Sequence, residues 1–179
     1  YVPLLDQFIE EHPDASYRGA KGTVALTGYN GVLGYRTDES YSFDNIDNPD
    51  INKDKRQWLK NHPEFTLEAE RAAAKEVADA MKANGWTFAS HTWGHLSVGS
   101  KSLASLKTDN EKWVKNVAPI VGDTNVIIFA HGTDLGGWPK YNLSDEKVAY
   151  FMSQGYDVFC NVDSNQHRTY FGETYLRMG

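Results

Sequence analysis

Residues 66–95 read TLEAERAAAKEVADAMKANGWTFASHTWGH, and the order of signals in them decides the fold. Thr66 suits an N-cap, because its hydroxyl can accept one of the backbone N–H groups that a first helical turn leaves unpaired. Glu68 and Glu70 put negative charge where the helix dipole favours it, and Gly85 suits the left-handed residue that closes a helix. WTFAS, at 86–90, then reads as a short strand that delivers HTWGH at its carboxyl end. Helix, strand and polar loop together make the repeating unit of an α/β domain.

The unit recurs on both sides. Upstream, Leu4, Leu5, Phe8 and Ile9 share one helical face, and His12-Pro13 closes that segment. KGTVALTG then carries a strand at 23–26 that runs into a loop with Gly28, Gly31 and Gly34. Downstream, a helix is expected over 109–120 with Trp113 and Val117 inward, followed by the strand TNVIIFA and the loop HGTDLGGW. Ser144 is expected to cap a further helix carrying Val148, Phe151 and Met152, with Gly155 as its stop. YDVFCNV is the next strand, and Asp163 stands at its end.

Strands separated by single amphipathic helices imply βαβ units and a parallel sheet. In such folds the carboxyl ends of the strands share a rim, and that rim holds the site. Four polar or glycine-rich loops, GYNG, HTWGH, HGTDLGG and VDSN, are therefore expected to meet there. Residues 37–65 are polar and rich in Asp, Asn and Lys, and they read as a long surface insertion with one helical turn near 56–60.

A length of 179 residues fits one domain, 1–179, and 40% apolar residues can fill its core. The net charge of −6, with no Lys/Arg block, argues against a nucleic-acid or anionic-membrane partner, which would need a basic patch to neutralise phosphates. No apolar run approaches the ~20 residues of a membrane span. A single cysteine, Cys160, excludes an internal disulfide. The abrupt start at YVPLLDQF reads as the middle of something longer, so a fragment is expected.

His91 and His95 stand four apart just after a strand. If the chain turns helically there, both imidazoles can aim at one point, which suits Zn²⁺ or a similar divalent ion. The same spacing also suits two half-buried histidines hydrogen-bonded in a turn. A two-histidine site needs a third ligand, usually a carboxylate, and an open position. Asp163 and Asp134 are rim candidates by position, although an Asp beside glycines is also ordinary turn chemistry. SFDN, at 42–45, lies in the insertion and reads as a solvated turn. Tyr29, Tyr35, Trp93 and Trp138 lie in or beside the rim loops, where rings can stack on sugar faces or simply cover the sheet. Tyr29 and Trp138, each next to glycine, are the better binding candidates.

HTWGH resembles the H-[ST]-x-x-H motif of the polysaccharide deacetylases, the NodB-homology domain of carbohydrate esterase family 4. As an order of elements the resemblance spans nearly the whole chain. LLDQFIEEHP is similar to the helix after that family's first strand, TVALTGYNG to its second strand, and 66–95 to the unit that ends in the histidine motif. SHTWGH with GYNGVLGYRT resembles a divergent bacterial subgroup. The resemblance implies a distorted (β/α) barrel, incomplete here at both ends, and His91 and His95 as metal ligands. It also implies hydrolysis of N- or O-acetyl groups on an acetylated glycan or cell-wall polysaccharide, outside the cell or at its surface. The metal polarises the acetyl carbonyl and activates water, a carboxylate takes the proton, and a histidine protonates the leaving group.

The departures from the family pattern are equally specific. Its aspartate pair should precede Val2, and its final histidine motif should follow Gly179. Where it has R-x-P-[YFW]-G, this chain has FAHGTDLGG, with His131 in the aromatic's place as a substitute acid, a substrate contact or a structural residue. CNVDSN resembles the aspartate-tryptophan motif with Asp163 at the aspartate and no matching Trp. Two rival classes stay open beside the enzyme: a glycan-binding relative that lost the chemistry, and a superfamily member that hydrolyses a small cyclic amide.

Overall fold

The structure, a computed structural model, describes residues 2–162 and 166–179. Its strands are β1 (Thr23–Leu26), β2 (Thr87–Ser90), β3 (Val126–Ile128), β4 (Val158–Cys160), β5 (Thr169–Phe171) and β6 (Leu176–Met178). They form one sheet in the order β1-β2-β3-β4-β6-β5. The first four run parallel in sequence order, β6 is parallel to β4, and only β5 is antiparallel. The chain is therefore α/β with a mostly parallel sheet, as the alternation of elements requires. The described sheet is open, with β1 and β5 at its edges, rather than closed into the expected barrel.

Helix α1 (Val2–Glu11) precedes β1, α2 (Lys53–Asn61) and α3 (Leu67–Ala83) lie between β1 and β2, α4 (Leu103–Asn116) and α5 (Ala118–Val121) between β2 and β3, and α6 (Glu146–Ser153) between β3 and β4. The α3 signals act as read. Thr66 accepts from the N–H of Ala69 at 3.2 Å, and Gly85 closes the helix at φ +87°. Ala74, Ala78 and Met81, spaced to fall on one face, are buried against the sheet, where two alanines let the helix sit close. α3 packs on α5 and α5 on α4, so these helices cover one face together. That is what same-handed crossovers between successive neighbouring strands produce.

Two apolar clusters fill the layer. One joins Leu26, Phe88 and Trp86 to α3, Trp113, Ile120 and Val121. The other joins Ile127, Phe129 and Phe159 to Leu106, Val148 and Phe151. α4 contributes to both.

Several expectations shift. The second helix starts at Leu103, not 109, because Ser102 accepts from the N–H of Ser105, and it breaks before Pro119. The stretch 103–108 hid from the apolar pattern because only Leu106 in it is buried, while Ala104, Ser105, Lys107 and Thr108 are exposed. Asp145, not Ser144, caps α6, accepting from the N–H of Lys147 and of Val148. The insertion is a small folded lobe rather than a solvated excursion. Its α2 spans 9 residues, about two and a half turns, and Tyr41, Leu59 and Phe65 form a core of their own with Trp58 and Ile46 against it. The helix α1 forms as expected, but its apolar face is left open: Leu4 is 69% exposed, and Leu5 and Phe8 nearly half. α1 is held instead by Asp6, which bonds Lys21, Asn84 and Trp86.

The sheet geometry sets up the site. β1 and β2 pair along their full length, and the ladder continues as the N–H of His91 donates to the Leu26 carbonyl at 2.8 Å. β2 and β3 pair only at Ser90 and Ile127, with the Thr124 hydroxyl bridging to the Phe88 carbonyl lower down. The two strands thus converge at their carboxyl ends, which brings the loops after them together.

Candidate functional site

The HTWGH segment leaves β2 through bonds that hold the backbone N–H groups of His91, Thr92, Trp93 and Gly94. Thr92 and His95 both adopt positive φ, 62° and 56°. That is uncommon for any residue with a side chain and costly for β-branched Thr92. The Thr92 hydroxyl, buried, accepts from the N–H of Leu96 at 2.7 Å and so closes the turn from inside. The carboxylate of Asp109 on α4 accepts from the N–H of Trp93 and of Gly94, each at 2.7 Å. Burial pushes the Asp109 carboxyl above its usual range, and those two N–H groups offset only part of that rise. The Trp93 carbonyl accepts from both Gly28 and Tyr29, which ties this loop to the one after β1. A side chain at Gly28 would collide with the Trp93 indole, and one at Gly94 with Asp109.

His91 turns its Nδ1 to the Ile128 carbonyl at 2.7 Å. A carbonyl only accepts, so Nδ1 carries the proton and Nε2 of the neutral ring keeps its lone pair. His95 lies beside it, with ring centroids 4.9 Å apart. His131, the third imidazole, is 4.4 Å from His95 and donates from Nε2 to the His95 carbonyl at 3.0 Å. It too stands at positive φ, 61°. Desolvation, and after it the neighbouring His131 and His91, lower the pKa of His95. Ser97 and Thr133 link the same two loops through their hydroxyls. The loops after β1, β2 and β3 therefore do converge on one rim, and the three histidines lie along it.

Among the described residues no three His, Cys, Asp or Glu side chains are gathered to hold a metal ion. His91 and His95 form a pair, and His131 is turned onto the backbone. Asp163 lies outside the described residues. Asp134 is engaged elsewhere: its carboxylate pairs with Arg177 at 2.7 Å, accepts from the N–H of Leu135, and takes the Tyr141 hydroxyl. Asp44 of the SFDN segment sits in an exposed turn capped by Ser42, as read.

The aromatic candidates separate into two places. Tyr29, 43% exposed, and half-buried Trp93 line one cavity of about 570 Å³ with Gly94, Leu96 and Lys112. Trp93 is also structural, since its indole N–H donates to buried Asp38 at 3.2 Å. Trp138 lines a different cavity of about 330 Å³, near Arg177 and Arg168. Tyr35 packs on the first core cluster instead.

Sequence reasoning missed Asp109, Asp38 and Arg177. An acid at 109, on the inward face between Leu106 and Trp113, was the available signal for the first. Arg177 is fully buried in β6, where it bonds Asp134 and the carbonyls of Gly136, Gly137 and Pro139 and lies on the Tyr141 ring. Only its place in an otherwise apolar strand marks it.

Fold and site together define an α/β protein with a histidine-bearing rim at the carboxyl ends of parallel strands. Scans against protein-family models, curated proteins and solved structures return no match.

Proposed function

We propose that this chain belongs to a metal-dependent hydrolase that removes acetyl groups from N- or O-acetylated polysaccharide. His91 and His95 would be metal ligands, with zinc the expected ion. The observation that carries the reading is the bond from His91 Nδ1 to the Ile128 carbonyl, beside a second imidazole 4.9 Å away. Metal-binding histidines habitually donate their other ring nitrogen to a carbonyl or carboxylate, which fixes the tautomer and aims the free lone pair. The donor set therefore fits a borderline-soft divalent ion. Such an ion supplies Lewis-acid polarisation of an acyl carbonyl.

The rest falls to the chain. Asp109 and Thr92 hold the turn that presents the two imidazoles. His131 has its Nε2 committed to the His95 carbonyl, which leaves Nδ1 to receive or return a proton at the leaving group. Asp163, three residues beyond β4 in sequence, keeps the carboxylate role that the resemblance assigns. Tyr29 and Trp93 would face the sugar, with Trp138 at a more distant position. The run β1-β2-β3-β4, each strand beside its sequence neighbour, supports reading the sheet as one wall of a deacetylase-type (β/α) barrel. A polysaccharide substrate goes with an extracellular or cell-surface location.

Elemental analysis after zinc loading and dialysis tests the reading, with acetate release from acetylated glycans as the activity arm. Near-stoichiometric zinc in the wild type, lost in His91→Ala and in His95→Ala, is expected. Full zinc retention in His91→Ala overturns it. Glycan binding with neither metal nor turnover would point to a relative that kept the fold and lost the chemistry.

A further inference from the structure

The lobe at 37–65 does more than cover the surface, because it walls a second and larger cavity against Trp93. That cavity measures about 750 Å³ and is lined by Glu39, Ser42, Asp44, Asn45, Asp50 and Asn52 from the lobe, opposite Trp93 and Lys112. Trp93 and Lys112 also line the cavity that holds Tyr29. The Tyr29 cavity in turn is bordered by Gly94 and Leu96, the residues on either side of His95. The Tyr29 cavity thus lies against the histidine loop and shares Trp93 and Lys112 with the lobe cavity.

The walls of these two cavities are fixed in advance. The Trp93 indole donates to Asp38 at 3.2 Å. Lys55 on α2 donates to the Tyr29 carbonyl at 2.5 Å and to the Ser40 hydroxyl at 2.8 Å. The Trp93–Asp38 and Lys55–Tyr29 bonds tie the lobe to the rim loops, so a ligand between them pays little ordering entropy.

From this cavity and the Trp93 and Lys112 side chains it shares with the Tyr29 cavity, we infer that the lobe forms an extra subsite. It takes further sugar units of an uncharged or aminated oligosaccharide whose reacting unit lies at the histidines. The inference rests on the proposed deacetylase reading. A pocket of several hundred cubic ångströms with hydroxyl, amide and carboxylate groups around an aromatic side suits a polyhydroxylated chain, which offers donors and acceptors at every position. The charge selects among glycans. Four carboxylates, Asp38, Glu39, Asp44 and Asp50, line the space against two ammonium groups. Lys55 pairs with Asp38 at 3.9 Å, Lys115 pairs with Glu39 at 2.5 Å, and Lys112 lies over the Trp93 ring at 4.3 Å, so Asp44 and Asp50 are the lining carboxylates with no ion pair among the described residues. An anionic uronate chain would meet the negative charge of Asp44 and Asp50 there.

Titration calorimetry on the whole chain tests this with β-1,4-linked N-acetylglucosamine oligomers from dimer to hexamer, and with galacturonate oligomers of the same lengths. The double variant Asp44→Lys, Asp50→Lys alters two exposed side chains of the cavity wall, and a thermal melt verifies its fold. Wild-type affinity is expected to rise about tenfold or more from dimer to hexamer, a step of roughly 1.4 kcal/mol. In the double variant the rise should fall below about threefold with dimer affinity unchanged. Uronate oligomers should bind the wild type more weakly than hexosamine oligomers of equal length. Equal length dependence in wild type and variant overturns the lobe subsite and leaves the deacetylase reading standing. No binding at any length, together with no acetate release, overturns both.

Discussion

The carboxylate of Asp109 spans two adjacent backbone N–H groups, those of Trp93 and Gly94, at 2.7 Å each. A side chain on α4 thus plays the part that a cap plays at a helix end, but for the loop that carries both candidate ligands. Asp109→Ala leaves those two half-buried donors without an acceptor and should cost about 2–4 kcal/mol. Asp109→Asn keeps one acceptor and should cost about half as much. Urea denaturation of the three proteins reads the difference. The alanine variant should also bind zinc more weakly than the asparagine one, because the turn around His91 and His95 loosens. Wild-type stability in Asp109→Ala would mean that the loop holds itself through Thr92 alone.

That pair also illustrates which parts of the molecule were legible in the sequence. The order of strands and helices could be read because periodic apolar residues, Thr66 and the closing glycines Gly85 and Gly155 are local signals. His91 and His95 could be read because they are four apart on one short loop. What the sequence conceals is pairing across long separations. Asp109 looks like a surface acid in a polar helix until Trp93 and Gly94 are seen against it. Asp134 looks like a ligand until Arg177, distant in sequence, takes it. The lobe looks solvated because Tyr41, Leu59 and Phe65 are separated by polar residues and meet only in three dimensions. The apolar face of α1 has the opposite character: periodicity marks it as buried, and in the described residues nothing covers Leu4.

Arg177 should prove to be the fastener of the loop after β3. Its guanidinium satisfies Asp134 and three backbone carbonyls while lying 3.8 Å from the Tyr141 ring centroid. Arg177→Met keeps much of the volume but strands the Asp134 carboxylate and those carbonyls, at a cost of about 3–5 kcal/mol. Limited proteolysis should then cut between 134 and 141, where the wild type resists. Asp134→Asn combined with Arg177→Met should recover part of the loss, since the stranded charge is gone. If the double variant is no better than Arg177→Met, the carbonyl contacts outweigh the ion pair.

The lobe should open separately from the sheet. Leu59 is fully buried within a cluster built from the lobe itself, with Leu67 of α3 packed against it. Leu59→Ala leaves a cavity worth about 2–4 kcal/mol. Hydrogen exchange should show the amides of α2 losing protection while those of β1, β2 and β3 keep theirs. Uniform loss across both regions would instead make lobe and sheet one cooperative unit.

Acid should release α1 before the sheet unfolds. Lys21 foremost, with Trp86 and Asn84, holds the Asp6 carboxyl below its usual range. A folded value below the unfolded one means that the unfolded chain takes up protons first as pH drops. The stabilisation is therefore present at neutral pH, down to the unfolded carboxylate value near 3.8, and is lost as pH falls through the lowered folded value. Asp6→Asn should lower stability at neutral pH and flatten the acid limb, because no proton is left to bind at that position. Tryptophan fluorescence reads the change directly, since the Trp86 indole donates to Asp6 at 2.9 Å. Identical acid limbs in wild type and Asp6→Asn would mean that α1 is held by Val2 packing on the core rather than by this carboxylate.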